Sequence, residues 1–209
     1  MKLESARLYL VSPAHIAVGD LGDVVADLAG AGVDLIQLRE KEMEAGDLIR
    51  VGEPIRDACR SAGIPFLVND RPDVALALEA DGVHLGQNDL SAAVARRILG
   101  ARIVGTSTHS TEEVDDAVEE GPDYIAVGPV YETPTKPGRP AVGRDLILYA
   151  ARHSTLPWFA IGGINEETLP EVMAAGARRV VVVRAINESD DPVGAATRLR
   201  KVLDNPPKH

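Results

Sequence analysis

The chain has a single cysteine, Cys59, which excludes an intramolecular disulfide and fits a reducing compartment. Aromatic residues make up only 3% of it, so a large core is expected to be built from Val, Leu, Ile and Ala. Such a core suits parallel strands buried on both faces and covered by Ala-rich helices. No apolar run approaches the roughly 20 residues of a membrane-spanning helix. The opening Met-Lys-Leu-Glu-Ser-Ala-Arg lacks the apolar stretch of a secretory signal. These absences point to a cytoplasmic protein. Positive charge is also in deficit, with a net charge of -10. That balance disfavours nucleic acid or an anionic membrane as partner. An anionic ligand would need a local basic pocket.

What the chain does have is a regular alternation. Its 209 residues fit one large domain, 1–209, with a short frayed tail from about 204 to 209. Apolar, β-branched runs predict strands over 7–11, 34–38, 65–68, 82–85, 102–106, 123–128, 157–161 and 179–183. Ala-rich amphipathic stretches predict helices over about 20–31, 46–62, 72–80, 91–99, 110–120, from 144, 165–175 and 192–203. Ser110 with Glu113 three residues on reads as a capping box. Eight strand–helix pairs imply a closed (β/α)8 TIM barrel. An open doubly wound sheet is the alternative, but five or six strands are usual there, and no Gly-x-Gly-x-x-Gly follows the first strand.

In such a barrel the chemistry sits where strands end and βα loops begin. Asp70 and Asp89 fall just past two neighbouring strand ends, and neighbouring strands lie about 4.7–4.9 Å apart. Both carboxylates therefore reach one rim. Each has a structural alternative as a helix N-cap, Asp70 before Pro72 and Asp89 before Leu90-Ser91. Together they fit a hard cation such as Mg2+, which takes one or two carboxylates plus phosphate oxygens and water. Gln37, Arg39 and Lys41 are spaced by two and point together into the barrel mouth, with Leu38 and Glu40 pointing away. Clustered cations there call for an anion.

Elsewhere on the rim the reading is less specific. His84 lies within a strand and reads as a satisfied core histidine. Ser107, after the fifth strand, suits either the rim or a helix entry, and His109 shares that ambiguity. The polar, proline-bracketed loop 129–142 is the one long excursion, and long loops in compact domains are commonly lids. Its Thr133, Thr135 and Lys136 are placed to close over a phosphorylated ligand. Gly162-Gly163 and Val183-Arg184 follow the last two strands, where barrels often hold phosphate on backbone N–H groups. Two anion sites in one mouth imply two phosphorylated ligands.

Several motifs carry a family resemblance: Gln-Leu-Arg-Glu-Lys (37–41), Asn-Asp-Arg (69–71), Gly-Val-His-Leu-Gly-Gln-x-Asp (82–89), Ser-Thr-His-Ser (107–110), Thr-Pro-Thr-Lys (133–136) and Ala-Ile-Gly-Gly-Ile (160–164). In order and spacing the set resembles thiamine-phosphate synthases, from about Leu8 to Leu203. The resemblance implies a Mg2+-dependent transferase that joins 4-amino-2-methyl-5-hydroxymethylpyrimidine diphosphate to a hydroxyethylthiazole phosphate, free or carboxylated. By position, Gln37, Arg39, Lys41, Asn69, Ser107 and Lys136 would hold the pyrimidine diphosphate, with Arg39, Lys41 and Lys136 neutralising the leaving group. Asp70 and Asp89 would bind the metal. Thr133, Thr135, Gly163, Val183 and Arg184 would hold the thiazole phosphate. The chain departs from the family pattern at Glu132, usually Pro, and at Arg184, usually Ser. A thiazole tautomerase-like barrel and a non-catalytic phosphate-binding barrel are the rival readings, and a homo-oligomer is left open.

Overall fold

The computed structural model describes residues 3–133 and 140–205. Eight strands form a closed barrel: β1 (Leu8–Ser12), β2 (Leu35–Leu38), β3 (Phe66–Asn69), β4 (Gly82–Leu85), β5 (Ile103–Thr108), β6 (Tyr124–Val127), β7 (Trp158–Ile161) and β8 (Val180–Val182). Each pairs in parallel with its neighbours in sequence, and β1 closes the ring on β8. The outer ring is α1 (Leu21–Gly30), α2 (Ala45–Ala62), α3 (Pro72–Ala77), α4 (Ala92–Leu99), α5 (Thr111–Glu120), α6 (Gly143–His153), α7 (Leu169–Ala174), then α8 (Arg184–Asn187) and α9 (Pro192–Asp204). The expected (β/α)8 barrel is present. Among the described residues no helix is long and apolar enough to cross a membrane.

Two elements go beyond the sequence expectation. A two-residue hairpin, His15–Ile16 with Gly19–Asp20, precedes α1. The four-residue α8 stands between β8 and α9. Segments this short carry no periodicity to read. The α7 helix starts later than 165 because Asn165 Oδ1 accepts from the Glu167 and Thr168 N–H groups at 2.9 Å, making a turn first. At the far end Asp204 is not frayed. It closes α9 and pairs with Arg7 at 3.0 Å and Arg200 at 3.1 Å; residues 206–209 lie outside the described ones.

The core has two layers. Between strands and helices it is mainly aliphatic, as the composition implies, with Leu8, Leu10, Ile36, Leu38, Val68 and Leu85 fully buried beside Phe66 and Trp158. Inside the barrel the expectation of an aliphatic core needs correcting. Tyr9, Tyr124 and Phe159 meet edge to face there, ring centroids 5.5–5.9 Å apart. Three of the chain's seven aromatic residues fill this narrow interior with large rings. Leu3 packs against this cluster from the N-terminal end of the strands, so the open end is the C-terminal rim.

Candidate active site

The exits of β3 and β4 bring Asp70 and Asp89 together. Neither is a helix cap: Arg71 occupies the N-cap position of α3, and Ser91 caps α4 by accepting from the Val94 N–H. Asp70 instead adopts a left-handed backbone, φ +59°, a conformation rare outside glycine and concentrated at functional sites. The Asp70 N–H donates to the His84 carbonyl at 2.8 Å, which fixes the carboxylate at the mouth. Asp89 accepts from the Gly86 N–H at 2.7 Å. The two carboxyls hydrogen-bond to each other and split in acidity. Burial pushes Asp70 up, but hydrogen bonds with Asp89, Lys41 and Asn69 and the Lys41 charge hold it below its ordinary value. Asp89 is raised by burial and by the neighbouring Asp70, against the Gly86 amide and Lys41. One proton shared by two carboxylates is the expected outcome of like charges in contact.

Lys41 Nζ lies 3.1 Å from Asp70 Oδ2, with Lys41 half exposed and Asp70 mostly covered. The Arg39 guanidinium makes no ion pair with any described residue, while Glu40 turns away and accepts from the Ala14 N–H at 2.8 Å. Gln37 facing the interior, with Leu38 and Glu40 turned away, follows the alternation at those three positions. Among the described residues no three His, Cys, Asp or Glu converge on a metal position. A pair of adjacent carboxylates with opposed shifts nevertheless fits Mg2+, because a dication relieves the repulsion and leaves its remaining positions for phosphate oxygens and water.

Below the rim runs a line of buried polar groups, one side chain from each of β1 to β6. Ser107 Oγ lies 2.9 Å from His84 Nε2, and His84 Nδ1 lies 2.9 Å from the Tyr124 hydroxyl. That hydroxyl is 2.9 Å from the Tyr9 hydroxyl, which donates to Gln37 Oε1 at 3.0 Å. Gln37 Nε2 donates to Asn69 Oδ1 at 3.1 Å, and Asn69 hydrogen-bonds Asp70. Ser107 is a strand residue here, since β5 runs two residues further than predicted. Its alternative as a helix entry is excluded, because Ser110 caps α5 by accepting from the Glu113 N–H. The capping box closes differently from its usual form: Glu113 accepts from the His109 N–H rather than from Ser110. His84 is a satisfied core histidine, as read. The sequence reading missed Tyr9 and Tyr124. A signal existed in Gly105, where a Cβ would stand 2.1 Å from the Tyr124 ring.

Beside this line the mouth opens into a cleft of about 310 Å³, lined among others by Ser107, His109, Thr133, Gly163, Val183 and Arg184. Gly162 and Gly163 take φ of +104° and +67°, which turns the backbone toward the cleft at no side-chain cost. Arg184 lines the cleft with Val183, Ala185 and Glu188, and its Nε lies 2.9 Å from both Glu188 carboxylate oxygens, so its charge is already paired there. Glu132 is exposed, which removes most of the cost of its charge beside a phosphate site. The loop start is pinned where Val130 and Tyr131 N–H groups donate to the Ile161 and Gly162 carbonyls at 2.8 and 3.1 Å. Thr135 and Lys136 lie outside the described residues.

A closed barrel with an acidic pair, rim cations and a glycine-edged cleft at one mouth defines a TIM-barrel enzyme acting on phosphorylated small molecules. Residues 8–186 match the family model described as thiamine monophosphate synthase. The chain is 53% identical to a thiamine-phosphate synthase of Mycolicibacterium vanbaalenii, over 97% of this chain and 96% of that one. It is 51% identical to one from Thermobifida fusca, over 97% and 94%. A thiamine phosphate pyrophosphorylase from Pyrococcus furiosus superposes with a TM-score of 0.87 at 30% identity, covering 97% of both chains. The chain belongs to the thiamine monophosphate synthase family, and its activity is that of this transferase class.

Proposed function

We propose that the chain moves the aminopyrimidine-methyl group of 4-amino-2-methyl-5-hydroxymethylpyrimidine diphosphate onto the ring nitrogen of a hydroxyethylthiazole phosphate, free or carboxylated. The C–O bond to the diphosphate breaks with its electron pair, and a C–N bond forms. Thiamine phosphate and pyrophosphate leave, with CO2 in the carboxylated case. The observation that carries this reading is the Asp70–Asp89 pair under Lys41, facing a separate cleft edged by Gly163 and Val183-Arg184.

Asp70 and Asp89 would hold Mg2+, with Lys41 freed from Asp70 to meet the diphosphate. When bound, the metal supplies charge neutralisation of the leaving group. Arg39, with no carboxylate partner among the described residues, adds a fixed cation, and Lys136 is assigned the same role from its sequence position. Gln37 and Asn69 form the floor for the pyrimidine, and the Ser107 hydroxyl meets its diphosphate. Thr133, Thr135, Gly163 and the backbone at Val183 and Arg184 take the thiazole phosphate. No protein nucleophile is needed. Cys59 is unsuited to that role, being buried, with its thiol pushed up to about 12 by burial and the nearby Asp81 charge. Electrostatic stabilisation of the departing diphosphate and exclusion of water carry the rate. A cytoplasmic location accords with the free thiol.

The relatives are synthases by name, which favours this reading over the tautomerase and the passive barrel. Pyrophosphate release measured with each substrate alone, with both, and with both plus Mg2+ tests it. Release that needs all three components is expected. Release from the pyrimidine diphosphate alone, or none at all, would overturn it.

A further inference from the structure

The buried line from Ser107 to Asn69 has a direction, and counting protons fixes it. A phenol has one proton, and the Tyr9 hydroxyl gives its own to Gln37 Oε1. Tyr124 must then donate to Tyr9 across their 2.9 Å contact. Its proton spent, Tyr124 can only accept from His84, so Nδ1 carries the imidazole hydrogen. The bare Nε2 then accepts from Ser107. Both phenols keep their protons, since burial pushes each well up. Ser107 is left with lone pairs toward the cleft, while Gln37 donates toward Asn69.

A phosphate oxygen offers no proton, so an anion at Ser107 requires that hydroxyl to turn its hydrogen outward. His84 must then give Nε2–H to Ser107 and accept at Nδ1. Tyr124 and Tyr9 each pass one hydrogen the other way, and Gln37 must turn its amide so that N–H faces Tyr9. Every bond from Ser107 to Gln37 reverses. Asn69 must turn its amide as well, so that its N–H group faces the turned Gln37 oxygen in place of the present contact. No net charge enters the aromatic interior. A second proton on His84 would satisfy Ser107 too, but would place a cation among Tyr9, Tyr124 and Phe159.

We propose that Tyr9, Tyr124 and His84 are positioning residues that couple the hydrogen-bonding state of Ser107 to the orientation of the Gln37 amide across the barrel. What the ligand demands at one end decides whether the other presents a donor or an acceptor. This rests on the proposed function, in which Ser107 and Gln37 both meet the pyrimidine diphosphate. Three further observations support a built line. It takes one residue from each of six successive strands, and its members from Tyr9 to Tyr124 are at most 9% exposed. Gly105 leaves the space that the Tyr124 ring fills.

The test is a mutant cycle on kcat/KM for the pyrimidine diphosphate. Ser107→Ala, Gln37→Leu and their double variant are compared in three backgrounds: wild type, Tyr124→Phe and Tyr9→Phe. Phenylalanine keeps the ring packing, and unfolding midpoints verify that each background is folded. In the wild type the double variant is expected to depart from the product of the single losses by about tenfold, within the range for groups sharing a network. In both phenylalanine backgrounds the losses are expected to multiply to within about twofold. Multiplying losses in the wild type, or an unchanged departure in the phenylalanine backgrounds, would overturn the coupling. The second result would mean that the two residues communicate only through the ligand. Failure of the proposed function is distinguishable, because the wild type would then show no turnover in which to measure a cycle.

Discussion

Asp70 and Asp89 hydrogen-bond to each other across the exits of two adjacent strands, and they are pushed in opposite directions, Asp70 down and Asp89 up. Two like charges in contact are the demand that a dication would meet. Lys41 on Asp70 at 3.1 Å partly fills the same need.

Magnesium affinity is therefore expected to depend on pH. Binding needs both carboxylates ionised, and the limiting proton sits on Asp89, whose acidity is weakened by burial and by Asp70. As pH rises through that raised value the competing proton is lost, so affinity should climb and then level off. Calorimetry in buffers of differing ionisation heat should show proton release on the acid side only. Affinity independent of pH across the carboxylate range would mean that the pair does not share its proton with the metal.

Lys41→Ala should lower kcat/KM for the pyrimidine diphosphate by about 10²-fold, the scale seen when one group stabilising developing charge is removed. Binding of the thiazole phosphate should be nearly unchanged, since the two anion sites lie on opposite parts of the rim. Equal loss at both substrates would indicate a general disturbance of the mouth.

Arg184 offers a sharper test of the second site. Its guanidinium is paired with Glu188 at the edge of the cleft, so its charge is already met by a carboxylate. Arg184→Ser is expected to change thiazole-phosphate affinity by less than about threefold, the scale of an exposed helix pair. A tenfold loss by calorimetry would place the side chain itself on the phosphate.

Gly105→Ala should be costly although it adds one methyl group. The new Cβ would stand 2.1 Å from Tyr124 Cζ, and overpacking a filled core costs about 1–3 kcal/mol. A lowered unfolding midpoint and a changed near-ultraviolet tyrosine signal should appear together. An unchanged midpoint would show that the interior ring has room to move.

Much of this was legible before the fold was known, because each piece had its own physical signature. The β-branched runs separated by Ala-rich helices count out a barrel, and strand ends then locate Asp70, Asp89, Gln37 and Lys41 on one rim. The helix-cap alternative for each aspartate could not be settled that way, since a carboxylate before a helix looks the same in either role. Arg71 and Ser91 at the caps decide it. Tyr9 and Tyr124 stayed hidden because an inward tyrosine near the start of a strand resembles any other buried strand residue. Only the facing Gly105 records the space one of them takes. The hairpin before α1 and the four-residue α8 are too short to leave a periodic trace. Scarcity of aromatics suggests a core without them, yet three of the seven sit together in the barrel interior and two more in the outer layer.

The most direct test of the metal assignment is the Mg2+ dependence of pyrophosphate release by the Asp70→Asn, Asp89→Asn double variant, with both substrates saturating and the fold verified by circular dichroism. Release should be abolished at every Mg2+ concentration, with thiazole-phosphate binding retained. Unchanged turnover, at the wild-type half-saturating Mg2+, would contradict the assignment of these two carboxylates to the departing diphosphate and its metal.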